Sequence, residues 1–356
     1  MRISTQSSEK IKAIGFVCAL MVVAIHCATI PKEWWNGTLD MPGWVVALQT
    51  LGTDTLARLA VPWFFVVSGF FLVKGLKFDE DHQCSALFAW WKQCLLKRLL
   101  TLGVPYLLWN LIYYVFKLAI GKYGFDVTHC LVQLTGFDLY DVPACGQFWY
   151  VRCVLAYVVC APLFLLAFGH RHIGAIIIMG LLICWFAGVG LPMRYMQLTD
   201  WSYVLYFGSG VYLGLGNMEG AHFDKRLGNL FVVFLVSAVA GVVAGAVSRN
   251  ATLAHISGKV MIVAGLPALW FVGGRIVSAT ARLKQLYSLA FFVYAMHVIF
   301  VSVTHKATER LLSPCLYESV GYLLKITVGI VGSLIVGRVL ARFMPKALNV
   351  LCGGRS

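Results

Sequence analysis

Apolar residues in this chain come in long unbroken runs. They show neither the i, i+3, i+4 stripe of a soluble amphipathic helix nor the alternation of a half-buried strand. A helix needs about 20 consecutive apolar residues to cross a hydrocarbon core of about 30 Å. The pattern predicts ten such segments: 13–30, 56–74, 99–118, 148–168, 173–190, 203–217, 229–247, 259–278, 288–305 and 319–341. This is the pattern of an all-α polytopic membrane protein with about ten transmembrane helices in one bundle. Residues 1–356 read as a single membrane-embedded domain, with an N-terminal segment 1–12 and a tail 342–356. The first run, Ala13 to Ile30, has full spanning length. Its end, Ala24-Ile25-His26-Cys27, lacks the small-residue pattern of a signal-peptide cleavage site, so it reads as a retained helix. Gly210 with Gly214, and Gly241 with Gly245, form small-xxx-small pairs that suit close helix packing.

Lysine and arginine fix the expected orientation. Most of the 29 fall in alternate connections when the N-terminus is placed inside, among them Lys10, Lys12, Lys97, Arg98, Arg171, Arg282 and Arg342. Both termini are therefore expected in the cytoplasm, and connections 31–55 and 119–147 outside, for a multi-pass protein of the plasma (inner) membrane. Arg2 and Lys77 belong to the same inner set. The connections are too short to hold a catalytic domain, so chemistry is expected among the helices or at their ends.

Composition agrees with the pattern. The chain is 60% hydrophobic and 12% charged, about half the charge of a soluble domain. The net charge of +14 would suggest nucleic acid in a soluble protein. Here it follows the topology rule, and no nucleic-acid partner is implied. The eleven cysteines include no CxxC pair, so no metal site is expected. Cys130 and Cys145 share one predicted external connection, where a disulfide is one option.

Ionisable residues inside a span cost about 2.5 to 3.5 kcal/mol at its centre, so each needs a reason. His26, Arg58 and Arg152 lie at a similar outer depth by this topology, with Gln147, Trp149 and Tyr150 beside Arg152 and His297 nearer the middle. A polar cavity opening outward would satisfy them. His26 suits a general base, because a neutral imidazole accepts a proton near neutral pH. Equally, its position suits a bond to a neighbouring helix's backbone or a seat at the interface. Arg58 suits stabilisation of an oxyanion, or snorkelling to the outer surface. Arg152 has the bland alternative of an interfacial residue beside two aromatics.

Several strings resemble a known family. Arg58-Leu59-Ala60-Val61-Pro62-Trp63-Phe64-Phe65-Val66-Val67-Ser68-Gly69-Phe70 is similar to the second-helix signature of the acyltransferase-3 family. Lys97-Arg98 followed by Val104-Pro105-Tyr106 resembles its basic pair leading into a Pro-Tyr helix. Phe148-Trp149-Tyr150 resembles its fourth-helix motif, and Tyr294-Ala295-Met296-His297 its late Tyr-x-x-His. The family's first helix carries a basic residue, ten intervening residues and a histidine. His26 matches the histidine, but the basic position falls on Gly15; Lys12 lies nearly one helical turn away. Gln147 stands where many relatives have histidine.

The resemblance implies transfer of an acyl group, acetyl first, from an acyl-CoA donor to a hydroxyl of a cell-envelope glycan or lipid-linked sugar. His26 would be the general base, and Arg58 would stabilise negative charge. Lys12, Lys97 and Arg98 would hold the CoA phosphates. Gln147, Trp149, Tyr150, Arg152, Tyr294 and His297 would line the substrate cavity. No tightly bound cofactor or metal is implied; acetyl-CoA or another acyl-CoA is a co-substrate, and the lipid bilayer is the surrounding partner. The rival is a transporter or flippase of lipid-linked glycans, which ten helices and an intramembrane polar cluster suit equally. Such a protein would have no reason to carry the motif set.

Overall fold

In a computed structural model the described residues are 4–28, 30, 34, 37, 41–74, 76, 84–136, 143–189, 200–216, 223–248 and 250–355. Arg2 and Lys77, and parts of connections 31–55 and 119–147, lie outside them. The described residues are helical, with no strand among them. Each of the ten apolar runs falls on helix over most of its described length.

Among the described residues, six helices are long and apolar enough to cross a membrane: Gly43–Val73, Leu87–Ala119, Gly228–Val247, Thr252–Ala279, Ala281–Leu311 and Pro314–Phe343. A seventh is added if Gly146–Val159 and Ala161–Phe168, bent by 73° at their junction, form one broken span. The count of ten is thus not reached by these measures, for local reasons. The first run lies in a helix whose first turns carry Glu9, Lys10 and Lys12. The runs at 173–190 and 203–217 lie in helices of only 16 and 14 residues.

The chain groups into two compact units. One, here the histidine unit, comprises residues 3–63 and 220–343. It holds α1 (Thr5–Ile25), α2 (Gly43–Gln49), the start of α3 (Ala60–Val73), and later helices α11 (Phe223–Val242), α12 (Ala251–Ala279), α13 (Ala290–Leu311) and α14 (Tyr322–Phe343). Helices α11 and α12 pack along each other, as do α13 and α14, and α1 lies against α12 and α13. Val23, Cys27, Val293, Val301 and Tyr322 form a buried cluster where α1, α13 and α14 meet. Val236 and Val239 on α11 remain exposed, as expected of a surface solvated by lipid tails.

The other, the aromatic unit, comprises residues 1–2, 64–219 and 344–356. It holds the rest of α3, α4 (Cys84–Arg98), α5 (Val104–Ala119), α6 (Val127–Thr135), α7 (Trp149–Val159), α8 (Ala161–Phe168), α9 (Arg171–Phe186), α10 (Trp201–Gly214) and α15 (Pro345–Leu351). Glycines set its closest approach. A Cβ on Gly210 would run into the Val66 carbonyl, and one on Gly69 into the Phe207 carbonyl. A Cβ on Gly214 would likewise come to 2.8 Å from the Phe70 carbonyl oxygen. The small-xxx-small pair on α10 and the Ser-Gly of α3 therefore fit backbone to backbone. Gly241, by contrast, meets Ser257 at an ordinary 3.6 Å.

Among the described residues four stretches wind as π-turns: Thr50–Thr55, Leu99–Gly103, Val243–Val247 and Tyr317–Gly321. Such turns are rare, and often sit at functional sites because they re-aim side chains.

Candidate active site

In the histidine unit, α1 ends where its last carbonyls run out of intrahelical donors. His26 is the residue after the last helical one, and its backbone N–H still donates to Val23 O at 3.1 Å. The π-turn at 50–55 braces this end. Thr53 Oγ1 donates to Ala24 O at 3.0 Å, so the Tyr322 hydroxyl, 3.1 Å away, donates to Thr53. The matching π-turn at 317–321 is tied to the first through Gln49, which donates to Glu318 O at 2.7 Å and to its carboxylate at 3.1 Å.

The His26 ring packs against His297 of α13, with centroids 5.2 Å apart and planes tilted by 46°. The two histidines differ in environment: His26 is exposed and His297 fully buried. His297 Nδ1 lies 3.0 Å from Val293 O. A carbonyl only accepts, so Nδ1 carries the proton and the neutral ring presents a lone pair at Nε2. That Nε2 is buried and has no hydrogen-bond partner. An accessible imidazole supported by a buried one of fixed tautomer is an arrangement able to accept a proton from a bound hydroxyl. Tyr294 is buried one turn earlier, beside Phe291.

Arg58 also lies in this unit. Its guanidinium donates to Asp54 at 2.9 Å, and its side chain is half exposed. Sequence reasoning missed Asp54, although its i−4 position could have flagged the pair. Lys12 is exposed on α1, where Glu9 pairs with Lys284 at 3.2 Å and Lys10 lies over Trp270 at 5.2 Å.

In the aromatic unit the second- and fourth-helix strings meet. Ser68 Oγ and the Tyr150 hydroxyl are 2.8 Å apart. Tyr150 donates to Phe64 O at 3.0 Å, so Ser68 donates to Tyr150. Phe65 meets Tyr150 edge-on at 4.8 Å and stacks on Tyr203 at 5.1 Å, with Trp149 against Tyr203 at 4.9 Å. Gln147 is buried and donates to the Tyr113 hydroxyl at 3.1 Å. Arg152 donates to Gly136 O at 2.6 Å. Gly136 ends α6 with φ of 68°, so the guanidinium caps a helix C-terminus, where positive charge is favoured. Asn110, buried on α5, accepts from Cys145 N at 2.8 Å and so anchors the entry to α7. Cys130 and Cys145 are both free thiols. Gln147, Trp149, Tyr150 and Arg152 belong to this unit, while Tyr294 and His297 belong to the other.

The basic pair lies at the end of α4, Lys97 exposed and Arg98 half-buried. A partner comes from the tail. α15 docks on α5: Trp109 Nε1 donates to Leu351 O at 3.1 Å, and Gly353, with φ of 62°, abuts the Thr101 carbonyl where any Cβ would collide. This docking carries Arg355 close to Arg98. Arg355 keeps contact with solvent. Even so, desolvation, then the like charge of Arg98, lower its pKa from the ordinary value, with Tyr150 and Cys352 opposing. Sequence reasoning did not reach Arg355 as a site residue, because only tail docking places it there.

Lys325 is what the polar pattern misses. Near the start of an apolar run a lysine reads as an interfacial anchor, yet here it is 1% exposed.

The model of the acyltransferase-3 family, described as an acyltransferase domain, matches residues 11–342. No curated protein and no solved structure matches the chain. The match takes in both histidines, the Ser68–Tyr150 contact and the basic pair, and the apolar helices fit an integral membrane protein; the chain belongs to the acyltransferase-3 family and is a membrane acyltransferase.

Proposed function

We propose that this chain moves an acyl group, acetyl first, from an acyl-CoA donor to a hydroxyl of a cell-envelope glycan or lipid-linked sugar. The observation that carries this reading is the accessible His26 ring against buried His297. A sugar hydroxyl is a poor nucleophile until a base takes its proton as it attacks. His26 takes that proton while the hydroxyl oxygen adds to the thioester carbonyl. Collapse of the tetrahedral adduct breaks the C–S bond, and the proton leaves with CoA. His297 fixes the ring of His26. Arg58, held by Asp54, stabilises developing negative charge or orients the acceptor. Arg98 and Arg355, with Lys97, supply the charge that CoA phosphates need. Ten spans with both termini and the donor on the cytoplasmic side of the inner membrane complete the reading.

The test is His26→Gln beside His26→Ala, at matched membrane protein levels, read as acylated glycan and as acetyl-CoA consumption. A general base supplies about 10² to 10⁴ in rate, so both variants should lose activity by that order. Near wild-type activity in His26→Gln would overturn the assignment, because glutamine keeps a hydrogen bond but cannot act as a base.

A further inference from the structure

The histidine unit also buries the side chain of Lys325. It lies on the face of α14 defined by Tyr322, Lys325, Gly329 and Ser333, all buried. That face points to α1 and α13. Tyr322 joins the cluster with Cys27 and Val293, and a Cβ on Gly329 would meet Val23, Val301 and, at 4.0 Å, the Cβ of His297. Lys325 lies between these two positions, close enough to Cys27, the residue after His26, to interact with it electrostatically.

Its ammonium group has no hydrogen-bond partner. Glu318 and Glu309 lie close enough to act on it electrostatically, but neither forms a direct ion pair with it among the described residues. Glu318 accepts from Gln49, and Glu309 lies 4.0 Å from His305. Tyr317 offers Lys325 only its ring face, at 4.6 Å, since its hydroxyl is bonded to His305 at 2.7 Å. A buried ammonium with no directly bonded anion is costly, and an aromatic face replaces only part of its hydration. The missing component is an anion, and the site it would occupy adjoins the histidines.

We propose that Lys325 is a specificity residue that binds an acidic group, a carboxylate or a phosphate, carried by the sugar acceptor acylated at His26. The proposal rests on the acyl-transfer reading above and adds the substrate class: an acidic sugar or a sugar phosphate, not a neutral glycan. The acid seats on the Lys325 ammonium and presents a neighbouring hydroxyl to the histidine.

The experiment uses the full chain in lipid nanodiscs, with acetyl-CoA and three acceptors: methyl glucoside, methyl glucuronide and glucose 1-phosphate. Binding is read separately, as thermal stabilisation by each acceptor without donor. The wild type should acylate at least one acidic acceptor with kcat/KM at least tenfold above the neutral one, and be stabilised by it. The carboxylate and phosphate arms show which acid is used. Lys325→Met, which fills the same space without charge, should fold with unchanged or higher stability. It should raise KM for the acidic acceptor about tenfold, abolish its stabilising effect and leave the neutral acceptor's rate unchanged. Lys325→Arg should restore part of the preference. Equal use of neutral and acidic acceptors by the wild type overturns the proposal. So does an equal loss on both in Lys325→Met, which would place Lys325 in the chemical step. Acid-dependent stabilisation that Lys325→Met abolishes, with no acyl transfer to any acceptor, would uphold the site and overturn the acyl-transfer reading instead.

Discussion

The aromatic unit and the histidine unit differ in how their candidate site residues are held. In the first, the Tyr150 hydroxyl is shared between Ser68 and Phe64 O, Asn110 holds Cys145 N, and Arg152 caps α6. In the second, His297 Nε2 and Lys325 Nζ are buried without a hydrogen-bond partner. A paired group stabilises by about 1 kcal/mol and fixes geometry. A buried unpaired group costs stability, and is retained where a ligand completes it. Family motifs thus differ in their contacts: the second- and fourth-helix strings hold helices together, while the two histidines pack ring against ring, the arrangement on which the proposed reaction rests.

That contrast can be broken at either end. The largest effect is expected at His297. His297→Phe should cut turnover about a hundredfold, the scale of misplacing a reacting group by about 1 Å. Melting temperature should hold or rise, because the unpaired Nε2 is gone. Lost stability with retained turnover would make His297 an ordinary core residue. Next is Gly210→Ala, which forces α10 off the Val66 carbonyl and should cost about 1–3 kcal/mol. Thermal unfolding in detergent measures it, and an unchanged midpoint would mean the close approach is not needed.

Smaller still, Arg98→Ala should raise KM for acyl-CoA about tenfold with little change in saturated turnover, since a remote phosphate contact contributes equally to ground and transition states. An unchanged KM would assign Arg98 to lipid headgroups. The mildest is Tyr150→Phe. It removes the donor to Phe64 O and leaves Ser68 without its acceptor, for about 1 kcal/mol of stability and no change in KM. A loss of turnover beyond that would give Tyr150 a part in the reaction.

The sequence by itself determined the helical membrane class, the positions of the apolar runs, the packing role of Gly210 and Gly214 and the candidacy of His26. Each follows from local composition: a run of apolar residues is helical in lipid wherever it packs, because backbone groups must pair internally. Of the ten spans it reads, six or seven stand as helices of full length and apolarity among the described residues, because run length does not register the charges at Glu9, Lys10 and Lys12 or the bend between α7 and α8. Only the tertiary structure decided which polar groups meet. His26 and His297 are 271 positions apart, Thr53 and Tyr322 269, and Trp109 and Leu351 242. Such pairings depend on which helix faces are apposed, and two turns of π-helix shift those faces in ways that spacing along the chain does not encode. For the same reason a lysine that looks like an interfacial anchor in the chain is buried on its helix, and Arg355 of the tail comes near Arg98.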